Sequence, residues 1–256
     1  IGPDEVQVIA GSPDNRRNIM DFHISQFDPD YVDNLSNYLR SIRQRNAALK
    51  GVARETVAGG MILIDSWDEK IANHGAKIIQ KRIKFLQNIA PISADIYSAI
   101  SGNENSQITL RYNCSIAENP MVDNLEEIFL KKLRLHRKRD IDTFQTTFGP
   151  HRDDIDIELD GLPARKFASW GQVRMIALSI FFSVAQMISE HIGRIPTILM
   201  DDALAELDPV RAKSVLEIAP QFGQIMVATP HPAHLIDNDS FRQLKFTAPG
   251  KIEVDK

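Results

Sequence analysis

Apolar residues recur at helical spacing through most of the chain between residues 14 and 142. The pattern predicts a first helix from Asp14 to about Gly51, a second from about Asp65 to Ile100, and a third from about Met121 to Asp140. Pro91 lies inside the second helix and is expected to kink or interrupt it. This part of the chain is therefore predicted to be a helical domain.

Short stretches with the composition of strands stand before, between and after these helices: Val6–Ala10, Gln107–Tyr112, Phe144–Gly149 and Ile155–Leu159. Asp160-Gly161 predicts a turn that joins the last of them to Arg165–Phe167. The elements predicted next are a helix over Gln172–His191, a strand over Ile195–Asp201, a helix over Pro209–Ala219 and a strand over Gln224–Thr229. This alternation indicates parallel βαβ units from residue 143 onward, and hence an α/β fold.

The composition limits the classes of protein to which this chain can belong. The chain has 256 residues, 43% of them hydrophobic, which is enough for one large domain or two modest ones. A net charge of −4 gives no global signal for nucleic acid, so DNA binding would need local patches. Cys114 is the one cysteine, which excludes an intrachain disulfide and fits a reducing cytoplasm. The most apolar stretch, Met175–Ile188, is too short and polar to span a bilayer, and no signal peptide is visible, so no membrane association is expected.

The strand over Ile195–Asp201 ends in two adjacent acids, Asp201 and Asp202. Its consecutive apolar residues are typical of a central strand covered on both faces. Carboxylates at the C-terminal end of such a strand lie where α/β sheets bind ligands, as in the Walker B motif of ATPases. Asp201 is expected to hold Mg²⁺, and Asp202 to orient the attacking water. The simpler alternative is that both acids only end a strand.

Further candidates surround this strand. Ser169, with Gly171 and Gln172, precedes a long apolar helix and suits an anion, although an ordinary N-cap serine gives the same pattern. Asp208 before Pro209 predicts a helix cap.

Two histidines, His231 and His234, follow the last strand, and either is a candidate ligand for a γ-phosphate within a rigid Pro-rich loop. Gly149–Asp154 combines a histidine with two acids, but its spacing matches no closed metal site, so metal ligation is the weaker interpretation.

Basic residues cluster in two places. The first is a candidate DNA-binding helix whose cations are Lys131, Lys132, Arg134, Arg137, Lys138 and Arg139. The second comprises Arg16, Arg17, Arg40, Arg43 and Arg45. A solvated helix face is the alternative interpretation of both.

Three segments together resemble the bacterial RecF family: Thr146–Asp154, Ser169–Arg174 and Leu199–Asp208. The N-terminal part agrees through Gly11–Arg17, Tyr31 and Arg43–Leu49. The resemblance implies an SMC-like, ABC-type ATPase of recombinational repair that binds ATP, Mg²⁺ and single- and double-stranded DNA at gaps. It also implies an ATP-dependent homodimer that works with RecO and RecR to load RecA, in recombinational repair and the SOS response.

The resemblance also assigns roles and boundaries. It makes Asp201 the Mg²⁺ ligand, Asp202 the catalytic carboxylate and His231 a candidate catalytic switch. Residues Ser169, Gly171, Gln172 and Asp208 would meet ATP held by the second subunit. Residues 1–13 would be the tail of an N-terminal ATPase segment, 14–142 a helical domain, and 143–256 the C-terminal lobe of the ATPase.

Departures from the family pattern leave alternatives open. Trp170 and Val173 stand where the family usually has glutamine, and a bulky indole is expected to weaken ATP-driven dimerisation. The Gly250-Lys251 pair lacks the rest of a P-loop, so this stretch alone is expected to be inactive, and the full-length protein to be a weak DNA-dependent ATPase. The competing hypotheses are a non-enzymatic DNA-binding or interaction module with a vestigial ATPase half, and another SMC-like ATPase.

Overall fold

The computed structural model describes residues 2–55, 59–204, 207–229, 244–248 and 251–254. The helices are α1 (Gln7–Ala10), α2 (Pro13–Ser25), α3 (Pro29–Ala53), α4 (Gly60–Ser101), α5 (Leu125–Leu135), α6 (Arg137–Thr143), α7 (Ala164–Phe167), α8 (Trp170–Ile192) and α9 (Pro209–Ile218). The strands are β1 (Ile108–Asn113), β2 (Asp154–Leu159), β3 (Leu162–Pro163), β4 (Thr197–Asp201), β5 (Gln224–Ala228), β6 (Leu244–Ala248) and β7 (Lys251–Val254).

The N-terminal strand predicted over Val6–Ala10 is wrong. A 3₁₀ turn over Pro3–Val6 leads into α1, whose Val8 and Ile9 are buried. The amide of Gly11 bonds the carbonyl of Gln7 at 3.0 Å, so the segment satisfies its backbone locally and needs no strand partner.

The first predicted helix is divided into α2 and α3. The Asp28 side chain accepts a hydrogen bond from the Tyr31 amide at 3.0 Å, and Pro29 stands at the first helical position. This N-cap and proline begin a new helix, so one helix cannot continue through them.

The second predicted helix is confirmed as α4, which runs for 42 residues. Pro91 does not interrupt it. Pro91 and Gln87, whose carbonyl loses its helical donor, are both exposed residues of α4. The third predicted helix is divided instead, because His136 adopts a non-helical conformation (φ −94°, ψ 5°) between α5 and α6.

The strand predicted over Phe144–Gly149 is wrong. Phe144 (φ 57°) and Gly149 (φ 128°) both lie in the left-handed region, which an extended strand excludes. Strand β2 is confirmed and pairs antiparallel with β1, from Ile108 opposite Leu159 to Asn113 opposite Asp154.

The turn predicted at Asp160-Gly161 is confirmed, with both residues at positive φ. It leads into the short strand β3. Beyond β3 the chain enters α7, which contains Arg165–Phe167.

The βαβ unit is confirmed. Strands β4 and β5 pair in parallel, from Thr197 opposite Gln224 to Asp201 opposite Ala228. Among the described residues β4 is covered on one face only: Ile198 and Met200 are buried, whereas Leu199 is 60% exposed. The expectation of two covered faces is therefore not met in this part of the chain. A hairpin of β6 and β7 follows.

The two predicted domains contact each other closely. Strand β1 from the helical part pairs with β2 from the C-terminal part, and Ser93 of α4 bonds Ser183 of α8 at 2.7 Å between their hydroxyl oxygens. Apolar residues of both parts form one continuous core. The division of the chain at residues 13 and 142 stays a prediction.

The expectation that the apolar stretch Met175–Ile188 is too short to span a bilayer is corrected: it lies in the 23-residue helix α8, the one helix among the described residues that is long and apolar enough to cross a membrane. Its apolar side chains pack in the protein core, where Met175, Ile176, Leu178 and Phe182 are buried. An apolar core helix passes the same test of length and composition.

Candidate nucleotide site

The end of β4 places two carboxylates side by side in different surroundings. Asp201 closes the strand and is exposed, whereas Asp202 is half-buried. The amide of Asp202 donates to the carbonyl of Ala228 at 2.8 Å, which anchors the residue to β5. The Asp202 backbone has φ 50°, a left-handed conformation that aspartate tolerates better than most residues.

Asp202 holds a buried carboxylate oxygen that lacks a donor. Its Oδ1 atom makes no hydrogen bond within the described part of the chain. An unpaired buried acceptor costs about 1–3 kcal/mol, and such a cost is removed by a bound water or by another donor. Beside it, the exposed carboxylate of Asp201 offers the oxygen that Mg²⁺ prefers. The residues present therefore fit a magnesium ion at Asp201 and a water at Asp202.

Ser169 is the N-cap of α8, as the simpler interpretation predicts. Its hydroxyl accepts a hydrogen bond from the Gln172 amide at 3.3 Å, and the Gln172 side chain accepts one from the Ser169 amide at 2.8 Å. This capping box leaves the hydroxyl proton of Ser169 free to donate, because a hydroxyl is both donor and acceptor. Ser169 is exposed, so capping the helix and meeting a phosphate are compatible.

The two departures from the family pattern differ in their surroundings. The Trp170 indole is 64% exposed beside Ser169, whereas Val173 is buried in the core. Val173 therefore faces the protein interior, and Trp170 is the substitution that changes the surface around the cap.

A buried arginine links α8 to the acidic end of β4. Arg174 donates to the carbonyl of Gly2 at 3.4 Å. A Cβ atom at Gly2 would lie 3.8 Å from the carbonyl oxygen of Asp201. The N-terminal turn therefore lies between the second turn of α8 and the candidate magnesium ligand.

Asp208 caps α9, as predicted. Its carboxylate accepts from the Arg211 amide at 3.1 Å and pairs with the Arg211 guanidinium at 2.6 Å. These bonds, led by the one from the amide, lower the pKa of Asp208. Its role toward a second subunit stays a prediction. Both candidate histidines, His231 and His234, lie outside the described residues.

The segment Gly149–Asp154, for which metal ligation was the weaker interpretation, packs against α2 and α3, and we name it the junction segment. His151 bonds the Tyr38 hydroxyl at 2.6 Å and the Thr146 carbonyl at 3.0 Å, and Asp154 makes a two-pronged ion pair with Arg16. Burial lowers the pKa of His151 to about 4, so the ring is neutral at pH 7. No group of three metal-ligating side chains occurs in the part of the chain that the structure describes. The metal interpretation of this segment is wrong.

Gly149 is tightly packed where this segment contacts α3 and α5. It has φ 128°, and a Cβ atom there would lie 2.3 Å from the Tyr38 hydroxyl and 2.7 Å from Cζ of Phe129. We expect Gly149→Ala to lower the free energy of unfolding by about 2–4 kcal/mol, through backbone strain and overpacking. Gly161→Ala is the matched control, because φ is 76° there but nothing lies within 4 Å. Urea denaturation should show a loss of about 1 kcal/mol for the control; equal losses in both variants would contradict the packing argument.

The structure corrects part of the predicted DNA-binding helix. Arg137 pairs with Asp65 and Asp68, at 2.5 and 2.6 Å. The Lys132 ammonium lies 4.6 Å from the ring centre of Phe148 and donates to a backbone carbonyl. Both cations are used within the fold, and the break at His136 divides the run. The remaining members are exposed and stay candidates for DNA contact: Lys131, Arg134, Lys138 and Arg139.

The second basic cluster also divides into arginines that form ion pairs within the fold and arginines that are exposed. Arg16 pairs with Asp154, Arg17 with Asp14, and Arg45 with Asp68 and Asp140. These three arginines stabilise the fold. Arg40 and Arg43 are exposed on α3.

Comparison with known proteins gives a consistent set of relatives. No family model matches the chain. Over 250 residues it is 32% identical to the DNA replication and repair protein RecF of Protochlamydia amoebophila, covering 97% of this chain and 67% of that protein. The RecF protein of Agathobacter rectalis is 32% identical over 255 residues, covering 98% and 67%. That of Pelotomaculum thermopropionicum is 34% identical over 215 residues, covering 84% and 58%. The chain thus spans 58–67% of the length of these relatives.

The solved structures that are similar to this chain also include a RecF protein. The recombination mediator protein RecF with ATP, of the RecFOR pathway, has a TM-score of 0.83 at 26% identity and is matched over 100% of this chain and 66% of that one. The Smc head domain of Pyrococcus furiosus has a TM-score of 0.52 at 16% identity, over 99% of this chain and 60% of that one, and shows the shared fold alone.

Proposed function

Because the chain belongs to the RecF family of DNA replication and repair proteins, we propose that it is the part of an ATP-dependent DNA-binding protein that carries the Walker B acids and the signature helix α8. The proposed sites of action are DNA gaps in the cytoplasm, where RecO and RecR cooperate with it to load RecA. In this proposal residues 1–13 and 143–256 belong to the ATPase lobe, and residues 14–142 form the helical domain.

The observation that carries the proposal is the unequal acid pair at the end of β4. Asp201 is exposed and suited to hold Mg²⁺, which would neutralise charge on the phosphates when bound. The orphaned Oδ1 of Asp202 accepts a hydrogen bond from the attacking water and fixes its direction. The full-length protein is thus proposed to be a weak DNA-dependent ATPase.

The signature helix supplies the second half of the proposed mechanism. Ser169 and the first amides of α8 would meet the γ-phosphate of ATP held by a second copy, because the helix dipole favours negative charge at this exposed cap. Gly171 and Gln172 would support that contact, and Asp208 holds the neighbouring loop at the start of α9. ATP would thereby link two subunits.

A matched pair of substitutions at Ser169 tests this proposal in the full-length protein. Aspartate and asparagine cap helices equally well, so Ser169→Asp and Ser169→Asn should both leave α8 stable. Only Ser169→Asp places a carboxylate against the phosphate. We expect ATP-driven dimerisation, measured by sedimentation velocity, to weaken about tenfold or more in Ser169→Asp relative to Ser169→Asn.

One observation favours a second candidate, a non-enzymatic DNA-binding or interaction module. The exposed Trp170 indole beside the cap is a bulky obstacle to a partner's phosphate. In that case ATP leaves the oligomeric state of the wild type unchanged, and DNA binding does not depend on ATP. Equal dimerisation of the Ser169→Asp and Ser169→Asn variants would remove Ser169 from the phosphate site.

A further inference from the structure

Helix α3 and its C-cap residue, Arg54, include a long run of residues without an acid. No Asp or Glu occurs between residues 34 and 54, which contain five cations: Arg40, Arg43, Arg45, Lys50 and Arg54. The chain as a whole has a net charge of −4, so this local excess of positive charge runs against the composition.

The fold separates one of these cations from the other four. Arg45 is fully buried and pairs with Asp68 and Asp140 at 2.5 and 2.6 Å. The remaining four, which we name the α3 stripe, are exposed: Arg40, Arg43, Lys50 and Arg54. Their spacings of three, seven and four residues place them along one side of the helix.

The charges of the α3 stripe are not neutralised by the fold. Within residues 2–55, 59–204 and 207–229, none of the four makes an ion pair. By contrast, two cations of the basic run across α5 and α6 interact within the fold: Arg137 pairs with two carboxylates, and Lys132 lies over an aromatic ring. The charges of the α3 stripe are therefore less neutralised by the fold than those of the basic run across α5 and α6.

The shape of the stripe suits a nucleic-acid backbone. Fourteen residues separate Arg40 from Arg54, which is roughly 21 Å along a helix and matches about six base pairs. The small residues Ser36 and Ala47 are exposed on the same side, so a backbone can approach closely. Tyr38 is buried, and no exposed aromatic residue on α3 offers a stacking platform for unpaired bases.

A neighbouring loop connects one more exposed cation to α3. Asn46, between Arg43 and Lys50, accepts hydrogen bonds from the amide and hydroxyl of Thr146, both at 2.8 Å. The adjoining Gln145 side chain accepts from the exposed Arg152 at 2.9 Å. Gln145 and Thr146 thus connect the exposed Arg152 to α3 at Asn46.

We propose that the α3 stripe binds the phosphate backbone of double-stranded DNA without reading its sequence. The proposal rests on the proposed function, in which the full-length protein binds DNA. The exposed cations, the small residues on the same side of the helix and the lack of stacking side chains all favour a duplex over a single strand.

The test compares two variants of the full-length protein that lose the same charge. One is R40A/R43A/K50A/R54A. The other, K131A/R134A/K138A/R139A, removes the exposed cations of α5 and α6, which form the competing candidate surface for DNA. Binding to a 30-base-pair duplex is measured by fluorescence anisotropy with ATP at several salt concentrations. Four lost phosphate contacts should reduce the slope of log K against log salt by roughly 3–4, and low-salt affinity by about tenfold or more.

The outcomes are distinct. The proposal expects the slope to fall by at least about 2 more in the stripe variant than in the α5–α6 variant, and the stripe variant to lose affinity equally for duplexes of different sequence. An unchanged slope in the stripe variant, an equal or larger loss in the α5–α6 variant, or a loss confined to single-stranded DNA or to a protein partner overturns it. If wild-type protein shows no salt-dependent DNA binding, the proposed function itself fails. ATP-driven dimerisation, retained in both variants, shows that they are folded.

Discussion

Replacing Asp202 by asparagine in the full-length protein is expected to lower the rate of ATP hydrolysis by roughly two to three orders of magnitude. An amide cannot accept the proton of the attacking water as a carboxylate does. Asparagine tolerates the left-handed backbone (φ 50°) as aspartate does, so the bond to Ala228 and the end of β4 should persist. Phosphate release in the presence of gapped DNA is the measurement.

Two controls make this result specific. Binding of a non-hydrolysable ATP analogue by Asp202→Asn should match the wild type, because this side chain is assigned to the water and not to the nucleotide. Asp201→Asn should instead raise the Mg²⁺ concentration needed for half-maximal activity. Hydrolysis that survives Asp202→Asn unchanged would remove Asp202 from the catalytic machinery.

Replacing Arg45 by methionine is expected to lower the free energy of unfolding by about 3–5 kcal/mol. The side chains of Arg45, Asp68 and Asp140 are all fully buried, so losing the cation leaves a carboxylate without its charge partner in the core. The Thr146 hydroxyl also loses its bond from Arg45. Thermal and urea unfolding of the full-length protein measure the loss.

The same substitution two positions away is the matched control. Arg43 is exposed on α3, so Arg43→Met should change stability by no more than about 0.5 kcal/mol. A loss below about 1 kcal/mol in Arg45→Met would show that the remaining donors around Asp68 and Asp140 compensate for the arginine.

Much of the C-terminal fold could be predicted from sequence because its signals are local. The apolar run of β4, the Asp208-Pro209 cap and the Asp160-Gly161 turn each determine a nearby piece of backbone. The break before α3 also had a local signal, Asp28-Pro29, which helical periodicity alone did not reveal. The break at His136 has no comparable signal.

The errors arise where tertiary contacts outweigh composition. Phe144–Gly149 has the residues of a strand, yet Thr147 bonds the buried Asp140 through its amide and its hydroxyl, and Gly149 turns the chain. Likewise, sequence identified the acid pair and the cap of α8. It could not show that Val173 faces the core or that Arg45 points inward from a basic run, because burial depends on distant elements.

Helix α4 is long enough that a small tilt at one point corresponds to a large displacement at its far end. The hydroxyl contact between Ser93 and Ser183 fixes α4 to the middle of α8, and from Ser93 the helix continues without a break to Gly60. Those 33 residues span roughly 50 Å. A tilt of about 10° at α8, transmitted by a rigid helix, displaces the Gly60 end by about 9 Å. A tilt of α4 at the signature helix would therefore produce a larger displacement at the far end of the helical part.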